Sequence, residues 1–363
     1  MSSRRIDSPL ETFPLWTPEL QGCGGRLGPR PEDFIVEEIP AYGPSGSGEH
    51  TLALIEKRGL TTLDAVHDLA KALEIHPKNV GYAGMKDRHA VCRQALTFLG
   101  VEPQRLLQLE LDGIQILEAA PHKNKLRAGH LLGNRFTLQI HGAGQEGLER
   151  AKQVSQSLEA RGVYNIFGPQ RFGRFGDNAT KARALLESGR APRTRRHRLL
   201  ISALQSELFN HYVEKRLAAR ALEKVLEGDI MRRGRSYFPV EDLDSERRRH
   251  ASGELSLTGP IFGPRTPRPP DGTAPRAWEK EVLAEAGLSL EDLATFKRAG
   301  RGGRRDLLVS PSPLKVTRAS ASPENLTLEF SLPPGAYATV VAREVLKVPF
   351  SRLRPEVDDG DAH

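Results

Sequence analysis

Cysteine occurs only twice in the 363 residues, at Cys23 and Cys92. Two thiols cannot build a disulfide framework or an all-cysteine zinc site, so a reducing, cytoplasmic setting without a structural metal is expected. No run of about 18 apolar residues is present, and no membrane-spanning helix is expected. The first residues, MSSRRIDSPLETFPLW, lack the apolar stretch of a secretory signal. The 11 histidines show no HExxH or comparable metal spacing, and no phosphate-loop pattern occurs. Gly22-Cys23-Gly24-Gly25-Arg26-Leu27-Gly28 resembles a dinucleotide loop, but its third glycine is one place off and no strand precedes it. Nucleotide-driven and metal-driven chemistry have no visible carrier, and no cofactor is expected.

What is present is a basic chain long enough for about two domains, at roughly 150 residues each. Lys and Arg number 53 against 46 Asp and Glu, a formal net charge of +7. The hydrophobic share, 38%, is that of a globular protein once glycine is counted. The charge is not spread evenly. Residues 162–305 hold 28 basic and 18 acidic side chains, leaving 25 and 28 for the rest, so the central block is +10 and the remainder −3. Within the block lie Arg190, Arg193, Arg195, Arg196 and Arg198, then Arg232, Arg233 and Arg235, then Arg247 to Arg249, then Arg301, Arg304 and Arg305. Arginine suits bidentate contact with phosphate, so the block reads as a nucleic-acid face. The competing reading is a solvated arginine-rich surface. The acidic tail, Glu356 to Asp361, reads as a solvating end.

Both ends of the chain read as mixed α and β. Residues 33–38, 50–56, 80–83 and 90–99 are expected strands. So are 135–140 and 326–332, where Phe136, Leu138 and Ile140, and Leu326, Leu328, Phe330 and Leu332, alternate with polar residues. Residues 61–75 predict a helix, with Thr61 as its cap, Asp64 three residues on and Pro77 closing it. Further helices are expected at 148–161, 199–227 and 336–347, and a loop or linker at 264–275. The simplest organisation is a discontinuous α/β domain, 1–161 with 306–363, interrupted by a basic insertion, 162–305.

Between two expected strands sits a tight loop, Gly84-Met85-Lys86-Asp87-Arg88-His89. Positive charge on either side keeps a carboxylate ionised, as a nucleophile requires. The alternative is a turn aspartate bonding its own backbone.

Gly81 to Val91, GYAGMKDRHAV, strongly resembles the signature of the TruD family of pseudouridine synthases, in which the Asp of the KDRHA stretch is the catalytic nucleophile. Other stretches resemble the family in the same order: Pro31 to Glu38 (PEDFIVEE), Lys125-Leu126-Arg127 with Gly129 and Gly133 to Phe136, Asn165 to Gly173 (NIFGPQRFG), Leu257 to Pro260, and Gly335 to Thr339 with Arg343 and Glu344. Ile166 stands where the family usually has tyrosine. The resemblance implies a mixed, mainly antiparallel sheet flanked by helices, an α+β catalytic domain with an inserted α/β domain that would clamp RNA. It implies Asp87 as nucleophile. It also implies that Phe34, Asn134 and Tyr337 line a uridine site, with Phe136 packing there and Lys86 pairing with Asp87 or an RNA phosphate. Arg171 and Phe172 would support the domain junction. Read as plain residues, Phe34 and Phe136 could be core, Asn134 a turn residue and Tyr337 a helix start.

The implied reaction breaks the N1–C1′ bond of a uridine, turns the uracil and joins C5 to C1′. Nothing is oxidised and no group is imported, in keeping with the missing cofactor motifs. The implied substrate is transfer RNA, at position 13 of the D arm. Attack at C1′, removal of a ribose proton and addition at C6 are all open to the carboxylate. Two other readings compete: an RNA-binding or RNA-folding protein with lost or secondary activity, and a hydrolase of free nucleosides. The second leaves the +10 block without a purpose.

Overall fold

The computed structural model describes residues 10–173, 175–189, 192, 194–296, 299–319 and 322–353. Arg190, Arg193 and the acidic tail lie outside the described residues. The chain divides into two compact units. The sheet unit takes Glu19–Arg161, Pro311–Ala338 and Ala342–His363; the basic unit takes Met1–Pro18, Gly162–Ser310 and Thr339–Val341.

In chain order the sheet unit begins with β1 (Arg26–Leu27), β2 (Phe34–Pro40), β3 (His50–Lys57), α1 (Thr62–Ala72), β4 (Val80–Tyr82), β5 (Val91–Leu99), α2 (Pro103–Leu107), β6 (Ile114–His122), β7 (Leu131–His141) and α3 (Gly147–Arg161). The basic unit follows with β8 (Val163–Tyr164), α4 (Asn178–Glu187), α5 (Arg195–Ala218), β9 (Ile230–Arg233), β10 (Ser236–Pro239), α6 (Leu243–Ala251), β11 (Ser256–Ile261), α7 (Ala274–Glu285), α8 (Leu290–Thr295), β12 (Gly303–Asp306) and β13 (Leu308–Val309). The chain then returns through β14 (Lys315–Ala319), β15 (Ser322–Leu332) and α9 (Ala338–Leu346).

The sheet unit is built on nine strands in the order β14-β15-β7-β2-β5-β3-β6, with β1 on β7 and β4 on β5. Only the β2–β5 pair is parallel; the other pairings are antiparallel. This is the mixed, mainly antiparallel sheet expected. Because directly paired residues point to one side, the register sorts the two faces. Phe34, Val36 and Glu38 of β2 stand opposite Leu138, Phe136 and Asn134 of β7, which stand opposite Leu328, Phe330 and Leu332 of β15. On the same face, Ala53 and Ile55 of β3 join Leu96 and Phe98 of β5 and the apolar stripe Ala65, Val66, Leu69 and Ala70 of α1 in one buried core. Thr61 caps α1 by accepting from Asp64 N, and Asp64 returns the bond to Thr61 N. The opposite face carries a charged ladder: Arg93 bridges Glu37 at 2.7 Å and Glu56 at 2.9 Å.

The basic unit holds a four-stranded sheet, β10-β9-β11-β12, and the short pair β13-β8. The long helix α5 covers this sheet. Gly259 on β11 lets it come close, because a Cβ there would lie 2.9 Å from the Phe209 ring. The expected helix to residue 227 stops at Ala218. Arg220 turns into the left-handed region at φ 52° and lets the chain double back. Arg216 closes that turn from inside. It donates to Asp229 Oδ1 at 2.5 Å and to the carbonyls of Ala221 and Lys224, and both members of the ion pair are fully buried. Replacing Arg216 by Met strands the Asp229 carboxylate and is expected to cost about 3–5 kcal/mol. Urea unfolding of the variant reads this, and a loss under about 1 kcal/mol would contradict it.

Several of the arginines read as a phosphate-binding face are engaged by groups of the protein itself. Arg304 is buried and bonded to Glu279 at 2.5 Å and to Thr258. Arg305 lies over the Phe167 ring at 4.1 Å and donates to the Asn165 carbonyl at 2.8 Å. Arg232 donates to Asp306 at 2.6 Å, and Arg249 to Glu254 at 2.9 Å. A guanidinium satisfies turn carbonyls and carboxylates as well as it satisfies phosphate, so composition alone does not separate these roles. Arg195, Arg196, Arg198, Arg235, Arg248 and Arg301 remain exposed.

Candidate active site

The loop 84–89 joins β4 to β5 above the α1-covered face of the sheet, and four anchors hold it, three of them through its backbone. Gly129 N donates to the Ala83 carbonyl at 2.9 Å, where the loop begins. Lys86 N donates at 2.8 Å to Thr62 Oγ1, which itself donates to Gln94 Oε1 on β5 at 2.9 Å. Lys57, the last residue of β3 and fully buried, sends its ammonium to the Asp87 carbonyl at 2.8 Å and to the Leu60 carbonyl at 2.6 Å. Arg88 pairs with Asp64 in the first turn of α1 at 2.9 Å. Burial draws the Lys57 pKa below its ordinary value, against the opposing influence of neighbouring Cys92 and Asp87, and it pushes the Cys92 thiol up. The result is a rigid turn that leaves the Asp87 residue exposed.

Lys86 is placed differently from the expectation. Its ammonium meets neither Asp87 nor open solvent but Glu38 Oε2, at 2.7 Å, with both side chains almost wholly buried. A charge removed from water needs a counter-charge at hand, and Glu38 points into the sheet face on which the loop rests. Gly84 leaves room for the pair, since a Cβ there would lie 3.0 Å from Lys86 Nζ. Glu38 Oε1 also accepts from Ala95 N at 3.3 Å.

Asn134 is the β7 partner of Glu38, so it shares this face and this end of the strand pair. Gly133 permits the close approach of β15 beside it; a Cβ at 133 would stand 2.5 Å from the Leu332 carbonyl oxygen. Asn134 Oδ1 is buried and has no hydrogen-bond partner among the described residues. Phe34 and Phe136 pack edge to face at 6.3 Å, and Phe136 stacks on Phe330 at 5.4 Å. All three are buried and form the floor of this region rather than an open ring platform. Tyr337 begins α9, five residues beyond Leu332, which pairs with Asn134; it is half-buried. Register and anchors thus bring Asp87, Lys86, Asn134, Phe34 and Phe136 to one face of one sheet. In the basic unit Arg171 is held by Ser206 at 3.0 Å and Phe172 is buried.

Glu38, Lys57 and Thr62 escaped the sequence reading as site residues. A signal existed for Lys57. It continues the inward series Thr51, Ala53, Ile55 of β3, and a lysine at the buried end of such a series has to reach a partner. Among the described residues no group of three or more His, Cys, Asp or Glu could hold a metal ion, and no helix is long and apolar enough to cross a membrane.

A sequence model of the family tRNA pseudouridine synthase D (TruD) matches residues 13–189 and 179–345. The chain is 38% identical to tRNA pseudouridine synthase D of Geobacter metallireducens, covering 91% of this chain and 97% of that one. It is 41% identical to that of Thermus thermophilus, covering 93% of each, and 42% identical to that of Anaeromyxobacter dehalogenans, covering 93% and 97%. A crystal structure described as tRNA pseudouridine synthase D from Methanosarcina mazei shares the fold, with a TM-score of 0.73 at 22% identity over 94% of this chain and 98% of that one. With its signature loop, its sheet and its relatives in agreement, the chain belongs to the tRNA pseudouridine synthase D family.

Proposed function

We propose that this chain converts uridine to pseudouridine in transfer RNA, at position 13 of the D arm, with Asp87 as nucleophile and no cofactor. The observation that carries the reading is the exposed Asp87 on a turn locked by buried Lys57, Thr62 and Lys86, over the sheet face that holds the unsatisfied acceptor of Asn134. The names and identities of the curated relatives support the substrate. In the reaction the N1–C1′ bond breaks, C5 bonds to C1′, C5 gives up its proton and N1 gains one, so product and substrate are isomers. Asp87 supplies the carboxylate at the glycosidic bond. Asn134 Oδ1 accepts from uracil N3–H, which fixes the edge of the base. Tyr337 borders the base, with the Phe34–Phe136 floor beneath, offsetting the few kcal/mol spent on drawing the uridine from its stack. Lys86 acts here by holding the loop through Glu38 rather than by touching a phosphate.

The sheet unit is the catalytic domain in this reading, in a cytoplasmic enzyme, and residues 162–305 are an inserted basic domain that grips the RNA backbone. Its exposed Arg195, Arg196, Arg198, Arg235, Arg248 and Arg301 are the contacts. The logarithm of tRNA affinity should then fall with the logarithm of salt by about 0.7–0.9 per neutralised phosphate. Changing Arg195, Arg196 and Arg198 together to Ala should flatten that slope by about 2, and an unchanged slope would remove these residues from the interface. The test of the function itself is site mapping. A tRNA transcript carrying labelled uridine should yield pseudouridine at position 13, and a transcript with cytidine there should yield none. RNA binding without product would favour a binding protein, and product at many positions would defeat the assignment of the site.

A further inference from the structure

We propose that Tyr42 is a stacking platform for an unpaired RNA base that flanks the target uridine, an inference resting on the pseudouridine synthase reading above. Tyr42 lies in the loop after β2. Its ring sits parallel on His122, with centroids 5.5 Å apart and 11° between planes, and its hydroxyl is 2.6 Å from His130 Nδ1. His122 is in turn fixed by Ser45 N, which donates to its Nδ1 at 3.2 Å. The Tyr42 ring is thus held at one face and at its tip, yet the residue stays 39% exposed. A tyrosine serving only the core would be covered, and one serving only solubility would not be locked in orientation. A rigid, half-open ring loses little entropy when a second ring lies on it.

Its position in the fold names the ring it would meet. Pro40 pairs with Leu131, and His130 precedes Leu131, so the Tyr42–His130 contact closes the end of the strand pair that carries Glu38 and Asn134. Leu131 and Asn134 are three residues apart, about 10 Å along a strand. The segment before His130 is tied to the start of the Asp87 loop by the Gly129–Ala83 bond. Exposed Lys123, whose N donates to Ser45 Oγ at 2.9 Å, and exposed Arg127, whose carbonyl accepts from His130 N at 3.0 Å, add positive charge to that segment. An aromatic face with neighbouring cations is the pattern by which single-stranded bases are held. Extruding the target uridine unstacks its neighbour, and Tyr42 replaces the lost partner.

The test uses D-arm tRNA transcripts, each with one abasic nucleotide, and measures affinity for wild type, Tyr42→Ala and Tyr42→Trp. At one position next to the target, base removal should weaken wild-type binding about 5- to 150-fold, the value of one stacked base. The same removal should leave Tyr42→Ala binding unchanged, and Tyr42→Trp should regain the wild-type sensitivity. A merely structural Tyr42 would weaken every transcript alike, so equal losses at all positions in wild type and Tyr42→Ala would overturn the proposal. Thermal unfolding of the variants, together with the tryptophan rescue, separates misfolding from lost stacking. If the position-specific coupling appears while wild type forms no pseudouridine, the platform is supported and it is the catalytic reading that fails.

Discussion

Exchanging Asp87 for Asn should abolish pseudouridine formation, by on the order of 10⁴-fold or more, as loss of a nucleophile does in covalent enzymes. Stability and RNA affinity should remain near wild type. The anchor from Lys57 acts on the Asp87 carbonyl, which Asn retains, and the anchor from Thr62 acts one residue earlier. The turn therefore keeps its shape. Asn is isosteric with Asp, and substitution at an exposed position of this kind usually changes stability by under about 0.5 kcal/mol. What is lost is the nucleophilic oxygen and the negative charge beside Lys57. Single-turnover rates at saturating transcript separate the alternatives. An unchanged rate would place the chemistry on another group, and a rate loss matched by an equal loss of affinity would make Asp87 a binding residue.

Lys86→Met is expected to destabilise the chain by about 3–5 kcal/mol, because it leaves the Glu38 carboxylate buried with only Ala95 N for company. Turnover should fall with it, since the pair fixes the start of the loop that carries Asp87. Replacing both partners, Glu38→Leu with Lys86→Met, removes the stranded charge and should return most of the lost stability. The coupling read from this double-mutant cycle should exceed about 2 kcal/mol. Additive losses would show that Lys86 and Glu38 do not depend on one another, and a Lys86→Met loss under about 1 kcal/mol would place the lysine in solvent.

The elements legible in the sequence were those where one physical signal dominated. The alternation around Phe136 and Phe330 follows from one-sided burial, while the strands at 50–57 and 91–99 are short, largely apolar runs buried on both faces. The start of α1 follows from the Thr61–Asp64 capping pair. Strand β6 carries two alanines and a proline in place of an alternating pattern and left no such signal. Strands β9, β10 and β12 are four residues each, too short to show a period, and two of the four residues in β9 and in β12 are arginine. The Asp87 loop was legible through its motif, and Asn134 through its neighbours. The supports were not, because Lys57 and Glu38 meet the loop from strands 30 and 48 residues away, a distance no local pattern spans. The arginines engaged within the protein escaped for a like reason: a guanidinium carries no mark in the sequence of whether it faces a phosphate or a turn.

In the proposed reaction Asp87, on its locked turn, does the chemistry on a single tRNA uridine. Its most direct test places wild type and Asp87→Asn side by side on a uridine-labelled tRNA transcript, without added nucleotide or metal, with pseudouridine mapped by position. Product from wild type alone, at one D-arm position, is the predicted result. Equal product from both proteins, or none from wild type while the RNA stays bound, would contradict it.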